Sequence, residues 1–300
     1  MKHDWKLDEA GKEQGFGMLM LAPTFLLILI FLLFPLGYSL WLSFQNVILH
    51  RPKPPQFVGF DNYVEILQNP IFLSSLWKTL YYSSSFLVGT LGLGMVVALI
   101  LNHRFFGKKV VITCLLIPWA IPKVVNALIW KWIYDGNFGV LNAIALELGL
   151  IDSYKFWFGE SPLVGLLLIA VANTWKFMPF VALLFLAALQ TIPRELYESA
   201  KVDGANIWQS FVHITIPQLR FTMIIVLILQ TMRAIKVFDI IAVLTHGGPG
   251  DRTMLPYYYV YRLAFEFLNI SYSAAGAYII TVLITVLAVV YYKIFRGSEE

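Results

Sequence analysis

The stretch TIPRELYESAKVDGANIWQSFVHITIP, residues 191–217, decides the fold. It is a polar island between two apolar runs, each long enough to cross a bilayer. Its residues spell two short amphipathic helices joined at a glycine. Thr191 is a predicted N-cap, Pro193 suits a first turn, and Gly204 can take the left-handed conformation that ends a helix. Asn206 is placed to cap the second helix. Leu196, Ala200 and Val202 are predicted to share one side of the first, with Glu195, Glu198, Lys201 and Asp203 forming a charged edge. On the second, Ile207, Phe211, Ile214 and Leu219 recur at helical spacing until Pro217 interrupts.

The same residues carry a resemblance. Glu198-Ser199-Ala200, then Asp203-Gly204-Ala205, Phe211, Ile214 and Ile216-Pro217 resemble the EAA signature of importer permeases of the ATP-binding-cassette (ABC) class. In that family the loop contains a coupling helix that sits in a groove of the ATPase. Ser199 stands where a second alanine is usual, and serine is also small enough for a close helix contact. The resemblance implies that Glu195, Glu198, Ser199, Ala200, Asp203, Gly204 and Ala205 meet an ATPase.

Outward from this loop the chain is apolar. It is 59% hydrophobic and 13% charged, with a mean hydropathy of +0.72, whereas soluble domains carry about 25% charged residues. An all-α polytopic membrane protein is the reading that fits. A single cysteine, Cys114, excludes an intrachain disulfide. The net charge of +4 comes without an arginine-rich run interleaved with aromatics, so no nucleic-acid partner is expected. The five histidines lack ligand spacing, and no metal site is expected. Gly247-Gly248-Pro249 is not followed by the lysine and hydroxyl pair of a phosphate loop, and no Walker motif occurs. The chain is therefore read as a non-enzyme that binds no cofactor; ATP and magnesium would belong to a separate ATPase.

Six spans are predicted, at about 18–44, 76–102, 110–134, 162–189, 221–244 and 271–295, with the coupling helix between the fourth and fifth. They form one transmembrane domain over 18–296, flanked by an N-terminal tail (1–17), mobile or a short surface helix, and a C-terminal tail (297–300). The first apolar run has no small-residue cleavage site, so it is expected to stay as a span. Pro35 and Gly37 should interrupt the first span, and Pro118 and Pro122 the third. Gly89, Gly92 and Gly94 should let a neighbouring helix approach the second. Residues 144–150 are expected to form a short surface helix, and 245–251 a tight turn. Connections on one side carry eleven lysines and arginines, among them Arg104, Lys108, Lys109, Arg194 and Lys201; the other side has five, Arg51, Lys53, Lys155, Arg252 and Arg262. The positive-inside rule then makes both termini and the 191–217 loop cytoplasmic.

Charged groups inside spans are costly, at roughly 2.5–3.5 kcal/mol for a central lysine or arginine, and should face protein or water. Lys78 and Lys131 lie near span ends and are expected to snorkel. On the fifth span Gln230, Arg233 and Lys236 recur every third residue with Asp239 following, and on the fourth Asn173 and Lys176 share that step. A solute pathway along Asn173, Lys176, Gln230, Arg233 and Lys236 is one reading; a Lys236–Asp239 pair that merely holds the bundle is the other. Lys123 has no firm assignment.

Further strings extend the resemblance: Phe57-Val58-Gly59-Phe60-Asp61-Asn62-Tyr63; Pro118-Trp119, Pro122, Trp130, Trp132, Gly139 and Asn142; and Thr245 with Gly247-Gly248-Pro249 are similar to MalF-like permeases of sugar importers. That family implies half of a translocation pathway in the inner membrane. Its partners would be a second permease in a heterodimer, two copies of a cytoplasmic ATPase, an extracytoplasmic sugar-binding protein and a disaccharide or oligosaccharide such as maltose or trehalose. A stand-alone secondary transporter, a non-transporting scaffold and a permease for glycerol phosphate are the alternatives. No inverted repeat supports the first, while the cationic residues suit the last.

Overall fold

A computed structural model describes residues 4–50 and 54–296, with side chains from 16 to 50 and 54 to 293. Arg51, Pro52, Lys53 and the C-terminal tail at 297–300 lie outside the described residues. The described chain is helical apart from one two-residue hairpin, β1 (Gln45–Asn46) with β2 (Gln56–Phe57). It divides into two units.

The first unit holds residues 1–66 and 263–278. Helix α1 (Asp4–Ile28) passes through a π-helical turn (Leu29–Leu33) into α2 (Phe34–Ser43). Residues 4–17, expected as a separate tail, are the beginning of the first helix, which runs on through Gly11, Gly15 and Gly17 into the apolar run. Pro35 does not interrupt it either: it falls in the first turn of α2, where the wider π turn precedes it. After the hairpin, α3 (Asp61–Gln68) is anchored by Asn62, whose Nδ2 donates to Ser43 O at 2.8 Å and Gln45 O at 2.7 Å. Phe44, Phe60 and Tyr63 pack ring to ring beside it. The Phe57 to Tyr63 string thus has a structural cause: it closes the turn after the first span.

The second unit holds residues 67–262 and 279–300. Its centre is the long pair α4 (Pro70–Asn102) and α9 (Pro162–Leu189), with α12 (Ile216–Ile235) lying against both. Asn69 caps α4 by accepting from the amides of Ile71 and Phe72, and Ser161 caps α9 by accepting from Val164 N. Met95, Ala98 and Leu101 meet Val181, Phe185 and Leu189, with Leu219 and Val226 from α12. In lipid such contacts gain little from the hydrophobic effect, so close packing carries the association. Gly89 and Gly94 provide it: a β-carbon there would stand 2.7 Å from Thr174 Oγ1 and 2.7 Å from Val181 Cγ1 respectively. Gly92 has nothing within 4 Å and plays no part.

The third expected span is two helices, α5 (Lys108–Ala120) and α6 (Lys123–Ile133), bent by 94° at Ile121-Pro122. The short surface helix lies earlier than expected, as α7 (Val140–Glu147), and is followed by α8 (Trp157–Glu160). The helix α10 (Arg194–Val202) leads through α11 (Ile207–Ser210) and a second π turn (Phe211–Thr215) into α12. Pro217 therefore does not interrupt the helix. It sits in the first turn of α12, and Ile216 N bonds back to Phe211 O across the π turn. The segment expected as the fifth span is α12, a break at 236–238 and α13 (Asp239–Leu244). The 245–251 turn holds Gly247 and Gly250 at φ +78° and +54°, and Thr253 Oγ1 closes it by donating to Gly248 O at 2.9 Å. The remaining helices are α14 (Pro256–Phe265) and α15 (Ile270–Arg296). Among the described residues four helices are long and apolar enough to cross a membrane, or five if the bent α5–α6 pair is counted as one span.

A Gly94→Val substitution forces Val181 and the α9 backbone aside and is expected to lower the detergent unfolding temperature, at a cost of about 1–3 kcal/mol. Gly92→Val, in open space, is expected to leave it unchanged; a thermal-shift comparison of the two variants decides.

Candidate functional site

Two regions of the second unit carry chemistry. The first begins with the break in the third span. Pro122 has no N–H, so Pro118 O, its partner in an unbroken helix, is left without a donor, and the 94° bend frees Trp119 O as well. Lys176 fills this gap from α9. Its side chain is 3% exposed and donates to Pro118 O at 3.4 Å, Trp119 O at 3.2 Å and Ile121 O. A cation there also suits the carbonyl end of α5.

Below that bend a cavity of about 440 Å³ opens between α4, α9 and the α12–α13 break. Tyr82 and Phe86 line it from α4, Asn173 and Phe177 from α9, Arg233 from the last turn of α12, and Lys236 from the break after it. Asn173 donates to Tyr82 Oη at 2.6 Å. The Arg233 guanidinium lies 4.9 Å from the ring centres of both Phe177 and Phe180, and its Nη1 is buried without a hydrogen-bond partner among the described residues. Asp239 begins α13, where an acidic side chain favours a helix start. It pairs at 3.1 Å with Lys123, which begins α6. A second, larger groove of about 720 Å³, walled by Tyr81, Val88, Trp130 and Trp175, contains no charged side chain.

The second region is the α10–α11 pair. Asp203 caps α10, and Gly204 follows at φ +82°. Gly204 N bonds to Lys201 O at 3.1 Å and Ala205 N to Ala200 O at 2.9 Å, the double closure of a Schellman turn. Asn206 and Gln209 then form a reciprocal capping box, each 2.8 Å from the other's backbone N–H.

Residues 90–298 match the family described as binding-protein-dependent transport system inner membrane component. The chain belongs to that family. Among its relatives is the trehalose/maltose transport system permease protein MalF of Thermococcus litoralis, 38% identical with 96% of each chain covered. Another is the sulfoquinovosyl glycerol transport system permease protein SmoG of Agrobacterium fabrum, 35% identical over 94% of this chain and 91% of that one. Among solved structures, a bacterial ABC transporter involved in the import of the acidic polysaccharide alginate gives a TM-score of 0.82 at 26% identity, covering 97% and 99% of the two chains. A bacterial alginate ABC transporter in complex with alginate pentasaccharide-bound periplasmic protein gives 0.80 at 25%, covering 94% of each.

In this permease the expected pathway residues separate. Asn173, Arg233 and Lys236 reach the cavity. Lys176 does not line it and instead holds the broken helix. Gln230 is fully buried towards the helix core, its amide oxygen and nitrogen without partners among the described residues. The expected Lys236–Asp239 pair is not formed. Asp239 is taken by Lys123 from the neighbouring broken span, while Lys236 is exposed and makes no ion pair with any described residue. Lys78 does not snorkel freely either, since its Nζ donates to Asp251 O at 2.5 Å.

In the α10–α11 pair, Glu195, Glu198, Ser199, Asp203 and Gly204 are exposed, with Ala200 and Ala205 half-buried. Two expectations change. Thr191 does not cap α10: its hydroxyl donates back to Ala188 O at 2.8 Å, and Pro193 occupies the cap position. Val202 does not face the protein, being 88% exposed; Tyr197 takes the inward side, its hydroxyl 2.9 Å from Thr215 Oγ1. Tyr82, Phe177 and Phe180 went unnoticed in the sequence. The run Tyr81-Tyr82-Ser83-Ser84-Ser85, polar inside an apolar span, was the available signal for the first.

Lys176→Met strips Pro118 O, Trp119 O and Ile121 O of their shared donor and is expected to destabilise the permease by about 1–3 kcal/mol for the groups left unpaired. Lys236→Met breaks no hydrogen bond or ion pair with any described residue and is expected to fall within about 0.5 kcal/mol of the parent. Thermal unfolding of both in one detergent separates the two roles.

Proposed function

We propose that the chain is one of two permease subunits of an ATP-driven carbohydrate importer. The observation that carries this reading is the α10–α11 pair: two helices joined by a turn that a Schellman closure and a capping box hold, with a charged edge and exposed Val202, Ile207 and Trp208, the second of them 91% exposed. Isolated apolar groups at a surface are ordinary, but three around one rigid turn make a seat for another protein. A cytoplasmic ATPase is the occupant, present in two copies beneath this permease and a second, different one. The α10 segment serves as the coupling helix, and Glu195, Glu198, Ser199, Ala200, Asp203, Gly204 and Ala205 form or shape its contact surface. ATP and magnesium are bound by the ATPase, not by this chain.

Six spans in the inner membrane, with α12 and α13 together as the fifth, put both termini and α10 on the cytoplasmic side. The lysine and arginine asymmetry supports that orientation. An extracytoplasmic binding protein delivers the solute, as the alginate complex with its periplasmic protein supports by analogy. The solute is a disaccharide or oligosaccharide, of the size of maltose or trehalose. The relative from Thermococcus litoralis supports that class, and a cavity of about 440 Å³ walled by aromatic rings and a few polar groups is of a suitable kind. Closure of the ATPase pair moves α10 as a rigid piece, and the cavity changes sides because the two ATPase states contact α10 differently.

Cysteine placed at Ala200 or Asp203 is expected to cross-link to a nucleotide-hydrolysing subunit in intact cells; capture of no such neighbour overturns the importer reading. Gly204→Val places a β-branched residue at φ +82°, at a cost of about 1–2 kcal/mol in the turn. Transport-coupled ATP hydrolysis is expected to drop several-fold at unchanged membrane content, and undiminished coupling would count against a rigid α10.

A further inference from the structure

The cavity's charges do not balance. Lys123, Arg233 and Lys236 line it against the single carboxylate of Asp239, which leaves two positive charges over. The carboxylate is already engaged, because Asp239 and Lys123 are 3.1 Å apart. Arg233 and Lys236 therefore face the cavity without a counter-charge among the described residues.

Their settings differ in a way that suits a ligand. Arg233 is held between Phe177 and Phe180, so its guanidinium plane is fixed before anything binds, and its Nη1 is a buried donor with no acceptor among the described residues. Lys236 is three residues on, at the start of the break after α12, and exposed. A pre-set planar fork beside an exposed ammonium is an arrangement that receives an oxyanion, the arginine fixing its orientation and the lysine adding charge. An arginine used only for packing would place its donors on protein carbonyls. Lys176 provides that contrast on the same Phe177 ring: 5.6 Å from its centre, it spends its donors on the carbonyls of the helix break.

We infer that the carbohydrate admitted to this cavity carries an acidic group, a carboxylate, sulfonate or phosphate ester, which docks between Arg233 and Lys236 while the sugar ring lies against Tyr82, Phe86 and Phe177. The inference rests on the importer reading and narrows its solute class. Asn173, tied to Tyr82, marks the ring end of the site, and Arg233 with Lys236 the acid end. The Lys123–Asp239 pair supplies no attraction of its own.

The test uses the full chain assembled with its partner permease in lipid nanodiscs, titrated with maltose and with maltobionate, whose skeleton is similar but bears a carboxylate. Tryptophan fluorescence reports binding, since Trp119 stacks on Phe180 at 5.6 Å beside Arg233. Maltobionate is expected to bind at least tenfold more tightly than maltose. The double variant Arg233→Gln with Lys236→Gln is expected to abolish that preference, so that the two sugars bind with equal affinity, its folding being checked by thermal unfolding in the same nanodiscs. Equal binding of the two sugars, or a preference that survives the double variant, overturns the inference. ATP-dependent uptake by the complete transporter in proteoliposomes tests the reading beneath it: uptake of maltose but not of maltobionate sinks the acidic class alone, whereas uptake of no carbohydrate sinks both.

Discussion

A helix that breaks within a bilayer has to find donors for the carbonyls it frees, because lipid offers none. In this chain Lys176 meets that requirement at the break between α5 and α6. Proline at position 122 removes the N–H that Pro118 O needs, and the ammonium of Lys176 replaces it while also serving Trp119 O and Ile121 O. The bend can then be as sharp as 94° without leaving an orphaned carbonyl at these three positions. That bend directs α6 against α13, brings Lys123 to Asp239, and leaves the space that becomes the cavity. Without the lysine, the geometry on which the rest depends has no polar support.

The cations near the cavity look alike in sequence but divide by what their donors touch. Lys176 is satisfied by backbone, Lys123 by a carboxylate, and Lys78 by a turn carbonyl; Arg233 keeps a buried donor unspent and Lys236 stands open. A charge placed at membrane depth is expensive, and four of these five side chains meet protein groups that lower the cost. Gln230 shows the opposite outcome: an uncharged amide turned into the core with both polar atoms unpartnered among the described residues, a burden of roughly 1–3 kcal/mol by ordinary measures of a buried unpaired group.

Much of this was legible in the chain. The fourth span begins at Pro162 and ends at Leu189, as its apolar run and flanking polar residues foretold, and Gly204 takes the left-handed turn its position demanded. Proline was the less reliable guide. Pro118 and Pro122 do mark a broken span, yet Pro35 and Pro217 do not break theirs, because π turns just upstream shift the backbone bonding by one residue and let each proline sit in a first turn. Nothing in spacing alone distinguishes those two cases. The pathway strip shows the same limit. A three-residue step places Gln230, Arg233 and Lys236 along a helix, but successive steps rotate by 60° from a full turn, so only some of them can share a cavity. Which ones do is settled by the neighbours, and a tertiary ion pair such as Lys123–Asp239 spans 116 residues, beyond any local pattern.

The two candidate regions are joined by one helix. Tyr197 ties α10 to Thr215, the last residue of the π turn, and α12 starts at the next residue and runs without interruption to Ile235, a length of about 30 Å at 1.5 Å per residue. Arg233 lies in its last turn. In the proposed importer, a shift of α10 therefore reaches the cavity through a hydrogen bond, a widened helical turn and a stiff rod, rather than through a diffuse network. The packing of Leu219 and Val226 against α4 and α9 limits how the rod can move, since side chains of a close-packed core exchange between discrete arrangements more readily than they deform. Motion would then be expressed where the packing stops, at the break following Ile235, which is where the unpaired cations stand.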